Sequence, residues 1–172
     1  LSKSFARSLG KIEISHCYAY SQMTPENLYR KVSSYCSSAE RCPAEVAQWL
    51  WRHGIDAEDH SFIIEKLKAD NFINEERFIH AFASDKLRFS GWGPFKIKQE
   101  LLQRDLPEGA VERIVREVMD EEDAPHLLRE MLTKKLLSLN DPTPDEIQRK
   151  VITWAMNRGF DLDEILSILK EF

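Results

Sequence analysis

Apolar residues recur along most of this chain every three or four positions. A helix turns once in 3.6 residues, so that spacing gathers them on one face. Val111, Ile114, Val115 and Val118 form one such stripe, and Leu127, Leu128, Met131, Leu132 and Leu136 form another. Ile63, Ile64 and Leu67, then Phe78, Ile79, Phe82 and Ala83, then Ile165, Ile168 and Leu169 repeat the pattern. Start signals precede the stripes. Thr24-Pro25 and Thr143-Pro144-Asp145-Glu146 each offer a hydroxyl to a first-turn N–H, followed by a ring whose φ suits the first helical position. Asp56, Asn74, Pro107 and Asp161 stand at other starts, the last with Glu164 at capping-box spacing.

A longer period overlies the helical one. Pro43, Pro94 and Pro144 open similar amphipathic segments, 51 and 50 residues apart. Each segment ends in a comparable stop: His53-Gly54-Ile55, Arg104-Asp105-Leu106 and Arg158-Gly159-Phe160. Glycine suits the left-handed position past a helix end because it has no Cβ, and Asp tolerates it better than most residues. The apolar residue after each stop is placed to fold back on its helix. With one helix before and one after each segment, the pattern predicts an all-α chain of nine helices in three tandem three-helix repeats. The repeats span 23–70, 71–121 and 122–172, after an N-terminal extension, 1–22, in which Lys11–Ser15 alternates like a short strand. One module of about 50 residues is small for independent stability, so stacking into an elongated, curved arrangement is expected.

Composition narrows the class. Leu, Ile, Val and Phe number 46 of 172 residues, enough to build a core and to exclude wholesale disorder. Only 6 residues are Gly, against a sandwich or barrel. No apolar run reaches the ~18–20 residues of a membrane span, so a soluble, monomeric protein without membrane contact is expected. The three cysteines, Cys17, Cys36 and Cys42, lack a disulfide pattern, which points to a reducing cytoplasm. The net charge of −5 opposes a surface that grips nucleic acid everywhere, but leaves room for a local basic patch.

One such patch stands out. Between Lys86 and Lys98 lie four cations, Lys86, Arg88, Lys96 and Lys98, and no acid, with Phe89 and Trp92 among them. Aromatic residues among cations can stack on bases or anchor a protein interface. Opposite in sign, Asp120-Glu121-Glu122-Asp123 reads as a solvated linker. Catalytic readings have less support. Cys36, Cys42, His53 and His60 are spaced C-x5-C-x10-H-x6-H, wider than zinc-finger spacing, and the cysteines are expected to pack as small thiols. Gly91-Trp92-Gly93-Pro94 could imitate a phosphate-binding turn, but no GK[ST] follows it. The five histidines have no local nucleophile or acid partner. No catalytic residue, metal or cofactor is therefore assigned. Val46, Trp49, Leu50 and Trp51 make one helix apolar on several sides, and Trp51 is expected to be covered by a neighbouring module.

The string Gly91-Trp92-Gly93-Pro94-Phe95-Lys96-Ile97-Lys98-Gln99-Glu100-Leu101, followed by Arg104-Asp105-Leu106, resembles the GxGPxxIxxEL signature of the RecX family of recombination regulators. Phe72–Phe78 and Arg158-Gly159-Phe160 resemble two further family elements; Asp105 stands where the family usually has Gly. The resemblance covers about residues 28–172. It implies tandem three-helix repeats and a non-enzymatic protein that binds the RecA recombinase filament on single-stranded DNA. It also implies that binding mostly inhibits RecA's ATP hydrolysis, strand exchange and SOS activity. Weak binding of single-stranded DNA would accompany it. The contact residues expected are Lys86, Arg88, Trp92, Lys96 and Lys98. The alternative is a stand-alone helical DNA-binding protein using the same basic face of the middle repeat.

Overall fold

The computed structural model describes residues 24–139 and 143–172. The expectations for residues 1–22, including Cys17 and the Lys11–Ser15 alternation, lie outside the described residues. Among the described residues there are nine α-helices and no strand: α1 Pro25–Ser38, α2 Pro43–Arg52, α3 Ala57–Ala69, α4 Glu75–Ser90, α5 Pro94–Leu102, α6 Glu108–Glu121, α7 Ala124–Leu137, α8 Pro144–Met156 and α9 Leu162–Leu169. Three of the start signals act as their chemistry requires. Thr24 and Thr143 accept the amides of Asn27 and Glu146, and Asp161 accepts those of Asp163 and Glu164. Asp56 stands at the N-cap of α3 without a side-chain cap bond.

All three stops hold their central residue in the left-handed region: φ is 71° at Gly54, 56° at Asp105 and 88° at Gly159. The chain then folds back as the apolar residues predict. Ile55 donates to the Leu50 carbonyl at 3.1 Å and Phe160 to that of Ala155 at 3.4 Å, each closing a turn over the helix end. Leu106 and Phe160 are buried.

Of the described residues, those up to Glu75 form one compact unit and those from Glu76 to Phe172 a second. In the first, Val32 and Cys36 of α1, Val46 and Leu50 of α2, Leu67 of α3 and Ile73 make the core. Fully burying a Val or Leu side chain is worth ~1.5–3 kcal/mol, so these few residues carry much of the unit's cohesion. Tyr29 donates its phenol to Asp70; burial and that carboxylate push its pKa up to about 12. Cys36 and Cys42 are buried thiols, and burial pushes Cys36 up to about 11. His53 stacks on Trp49, 3.8 Å between ring centroids, and His60 bonds the Ile55 carbonyl, so each histidine has a structural position apart from the cysteines.

Trp51 corrects an expectation: it is 72% exposed. Successive helical residues turn by about 100°, so once Val46 and Leu50 face the core and Trp49 stacks against Tyr35, Trp51 is carried away from both.

In the second unit, α4 buries Phe78, Ile79, Ala83 and Leu87, α5 buries Ile97 and Leu101, and α6 buries Val111, Ile114, Val115, Val118 and Met119. The helices α7, α8 and α9 pack on one another, and α6 also touches α7. The acidic run between α6 and α7 is a second correction. It is solvated as expected, with Asp120, Glu121 and Asp123 exposed, but it is no linker: Asp120 and Glu121 belong to α6, Glu122 caps its end, and Asp123, at φ 49°, accepts the His126 amide to start α7. Two of its carboxylates have partners on α4. His80 lies 2.9 Å from Glu121, and Ser84 and Arg88 both donate to Glu122.

Candidate interaction surface

Two glycine turns that resembled family elements meet in space. The amide of Gly93 donates to the Arg158 carbonyl at 2.7 Å, and that of Phe95 to the Gly159 carbonyl at 3.1 Å. Main chain lies against main chain. A Cβ on Gly93 would stand 2.5 Å from the Gly159 carbonyl carbon and 2.6 Å from the Phe160 nitrogen. Only glycine permits that approach. The first amides of α5 are thereby spent on the turn before α9. The phosphate-loop reading of Gly91–Pro94 fails on this point, because those donors already have acceptors.

The clasp sets out the surface on either side. Trp92 leaves the turn half-buried, with Lys96 Nζ 4.4 Å and Lys86 Nζ 5.0 Å from its ring centre. A cation over an indole ring is held by the ring's negative face. The structure therefore gathers Lys86, Trp92 and Lys96, and parts them from the other two candidates. Arg88 is paired with Glu122, whose carboxyl is held below its ordinary value chiefly by Arg88 and next by Ser84. Lys98 is paired with Glu112 of α6 at 2.6 Å. Phe89 is 83% exposed beside them.

On the other side of the clasp lies a basic and aromatic set that the sequence reasoning missed. Arg158 lies 4.0 Å over the Trp154 ring, and Arg149 and Lys150 stand exposed one turn earlier on α8. The signal was available: Gln148–Arg158 holds three cations, one Trp and no acid, the criterion that singled out Lys86–Lys98. Among the described residues no helix is long and apolar enough to cross a membrane.

Residues 74–113 match the family description RecX, second three-helix domain. The chain is 28% identical over 131 residues to the regulatory protein RecX of Streptococcus sanguinis, covering 76% of this chain and 49% of that protein. It is 29% identical over 127 residues to the regulatory protein RecX of Chlorobaculum tepidum, covering 74% and 76%. The chain thus spans about half the length of the streptococcal relatives it matches. Its fold is that of the crystal structure of RecX from Lactobacillus salivarius, with TM-score 0.72, 22% identity and coverage of 83% of this chain and 92% of that one. A second crystal structure, of a regulatory protein RecX, superposes with TM-score 0.75 at 17% identity, covering 84% and 71%.

Proposed function

We propose that this chain, a member of the RecX family, binds the RecA filament on single-stranded DNA and restrains it, lowering ATP hydrolysis and strand exchange without chemistry of its own. The observation that carries the reading is the clasp of Gly93 on Gly159. It joins the turn before α5 to the turn before α9 through backbone contacts and holds Lys86, Trp92 and Lys96 beside the junction. Two ammonium groups on one indole form a cationic, partly apolar contact of the kind that anchors macromolecular interfaces. Several modest contacts on one body then add through effective concentration along a repeating filament. The acidic balance of the chain, −5 overall, fits a partner met through one basic face.

The test is a titration of the chain into preformed RecA filaments on single-stranded DNA, following ATP hydrolysis and strand exchange, beside a titration into bare DNA. The expected result is falling hydrolysis with increasing chain and tighter binding to the filament than to DNA alone. Hydrolysis and strand exchange that stay constant at saturating chain would reject it. Tight binding to bare DNA together with unchanged hydrolysis would instead mark a stand-alone nucleic-acid-binding protein.

A further inference from the structure

The helix α5 is apolar on two sides, and the core accounts for one of them. Ile97 and Leu101 are fully buried. Phe95, Lys98, Gln99 and Leu102 fall at i, i+3, i+4 and i+7, on the side of the helix turned away from those two. The ends of that stripe are apolar and in water: Phe95 is 72% exposed and Leu102 39%. Across from it, Met156 at the end of α8 and Leu162 at the start of α9 are exposed as well. All four line one groove of about 580 Å³, between α5 and the turn that the clasp holds against it. Large apolar side chains gathered in one exposed place mark an interaction site.

Charge decides which partner fits. Three charged groups line the groove, Lys98, Glu112 and Asp161, and each is engaged within the chain. Lys98 pairs with Glu112 at 2.6 Å, and Asp161 accepts the amides of Asp163 and Glu164. No charge is left over to attract a basic or an acidic helix, so the complementary surface is apolar and near neutral. The helix α5 itself offers one. Read in either direction, its stripe runs apolar, polar, polar, apolar. Two copies of α5 laid antiparallel about a two-fold axis between positions 98 and 99 set Phe95 on the partner's Leu102, and Leu102 on the partner's Phe95. Phe95 and Leu102 lie about 10.5 Å apart along the helix, so the two contacts are separate. Lys98 reaches the axis already neutralised by Glu112, and the partner's Gln99 beside it is uncharged.

We propose that this face joins two copies of the chain, the exposed Phe95 ring of each seated in the other's groove against Leu102 and Leu162. The size of the face sets the strength of the pairing. Eleven residues line the groove, about half of the 20–30 a side in a stable complex. The dimer is therefore weak, with Kd roughly 10–100 µM, and a dilute chain is a monomer. Lys96, turned about 100° from Phe95, lies off the stripe, so pairing leaves its contact with Trp92 in place. The dimer carries that cationic surface twice.

The experiment is sedimentation velocity of the full chain, with neither RecA nor DNA present, from about 1 to about 500 µM. The expected result is a passage from monomer to dimer across that range. F95E places a carboxylate against an apolar groove and L102K an ammonium, and each should raise Kd at least about tenfold. Both positions are exposed, and helical circular dichroism like the parent's shows that each variant folds. Mixing the two variants tests the register. In the mixed dimer the new carboxylate meets the new ammonium at one contact, and the parental pairing of Phe95 with Leu102 remains at the other. An equimolar mixture should therefore dimerise at least about tenfold more tightly than either variant alone. A parent chain that stays monomeric at about 500 µM overturns the proposal and leaves the groove to a different protein. A dimer that F95E and L102K leave intact overturns it too, because the copies then meet elsewhere. So does a mixture no tighter than its components, since antiparallel pairing requires that rescue. No outcome involves RecA, so the filament reading stands or falls by its own titration.

Discussion

Gly159 has two independent reasons to be glycine. Its φ of 88° strains any L side chain, and a Cβ there would lie 2.5 Å from the Cβ of Lys96 and 3.0 Å from its Cα. Neither neighbouring atom is the far end of a flexible chain, so relief requires α5 to move off the turn. Gly159→Ala should therefore cost ~3 kcal/mol, near the upper end for single substitutions, read as a fall in the urea midpoint. Gly109 is the control. It lies in the first turn of α6 with open space around its would-be Cβ. Gly109→Ala should raise the midpoint by the equivalent of ~0.5 kcal/mol, by reducing the freedom of the unfolded chain. Asp105 tests the same logic in reverse. It holds φ 56° at a helix stop where the two comparable stops have Gly54 and Gly159. Asp105→Gly should stabilise by ~0.5–1 kcal/mol, because a Cβ in the left-handed region costs about that much. A loss of stability in the same urea titration would show that the Asp105 side chain earns its place some other way.

At the scale of elements, the end of α6 meets α4 through two carboxylates, Glu121 beside His80 and Glu122 with two donors. Glu122 takes hydrogen bonds from Arg88 and Ser84, and these hold its pKa below the ordinary carboxylate value. A lowered folded-state pKa means the folded chain releases that proton more readily than the unfolded chain. The contribution is therefore complete above the ordinary carboxylate range and is lost as pH falls through the lowered value. Arg88→Ala should move the Glu122 titration upward, visible in the carboxyl carbon shift by NMR, and shrink the loss of stability on acidification. An unmoved Glu122 titration would show that Arg88 is not what holds it. The contact also explains what the chain pattern could and could not reveal. Prolines, hydroxyl caps and left-handed stops act within a few residues of themselves, so the nine helices among the described residues were legible from local spacing. The pairing of Glu122 with Arg88 and of Glu112 with Lys98 was not, because nothing local tells a carboxylate which helix will lie beside it. The acidic run read as a linker for that reason, and the basic stretch read as four equal cations. Trp51 was misjudged differently: its size suggested burial, but the face on which it falls is set by Leu50 and Val46. The meeting of Gly93 and Gly159 left only a local trace, two glycine turns each with its own motif. Their contact is a tertiary fact.

For the molecule as a whole, what matters to a partner is which positive charges remain uncompensated. Lys98→Glu is a poor probe of that question, because it sets a second carboxylate beside Glu112 and adds repulsion where there was an ion pair. Lys96 is cleaner. Its ammonium lies over Trp92, and replacing it removes a cation–π contact worth ~0.5–1 kcal/mol at a partly exposed site, too little to unfold the unit. Lys96→Glu should therefore keep the fold while weakening filament engagement about tenfold, seen as a higher chain concentration for half-inhibition of RecA's ATP hydrolysis. The double variant K98E/E112K supplies the comparison. It rebuilds the α5–α6 pair in reverse and leaves the net charge unchanged, so it should inhibit at nearly the parental concentration. If K98E/E112K weakens engagement as much as Lys96→Glu does, the partner reads the position of Lys98 itself. The contact would then extend along α5 towards α6, away from the indole at the turn.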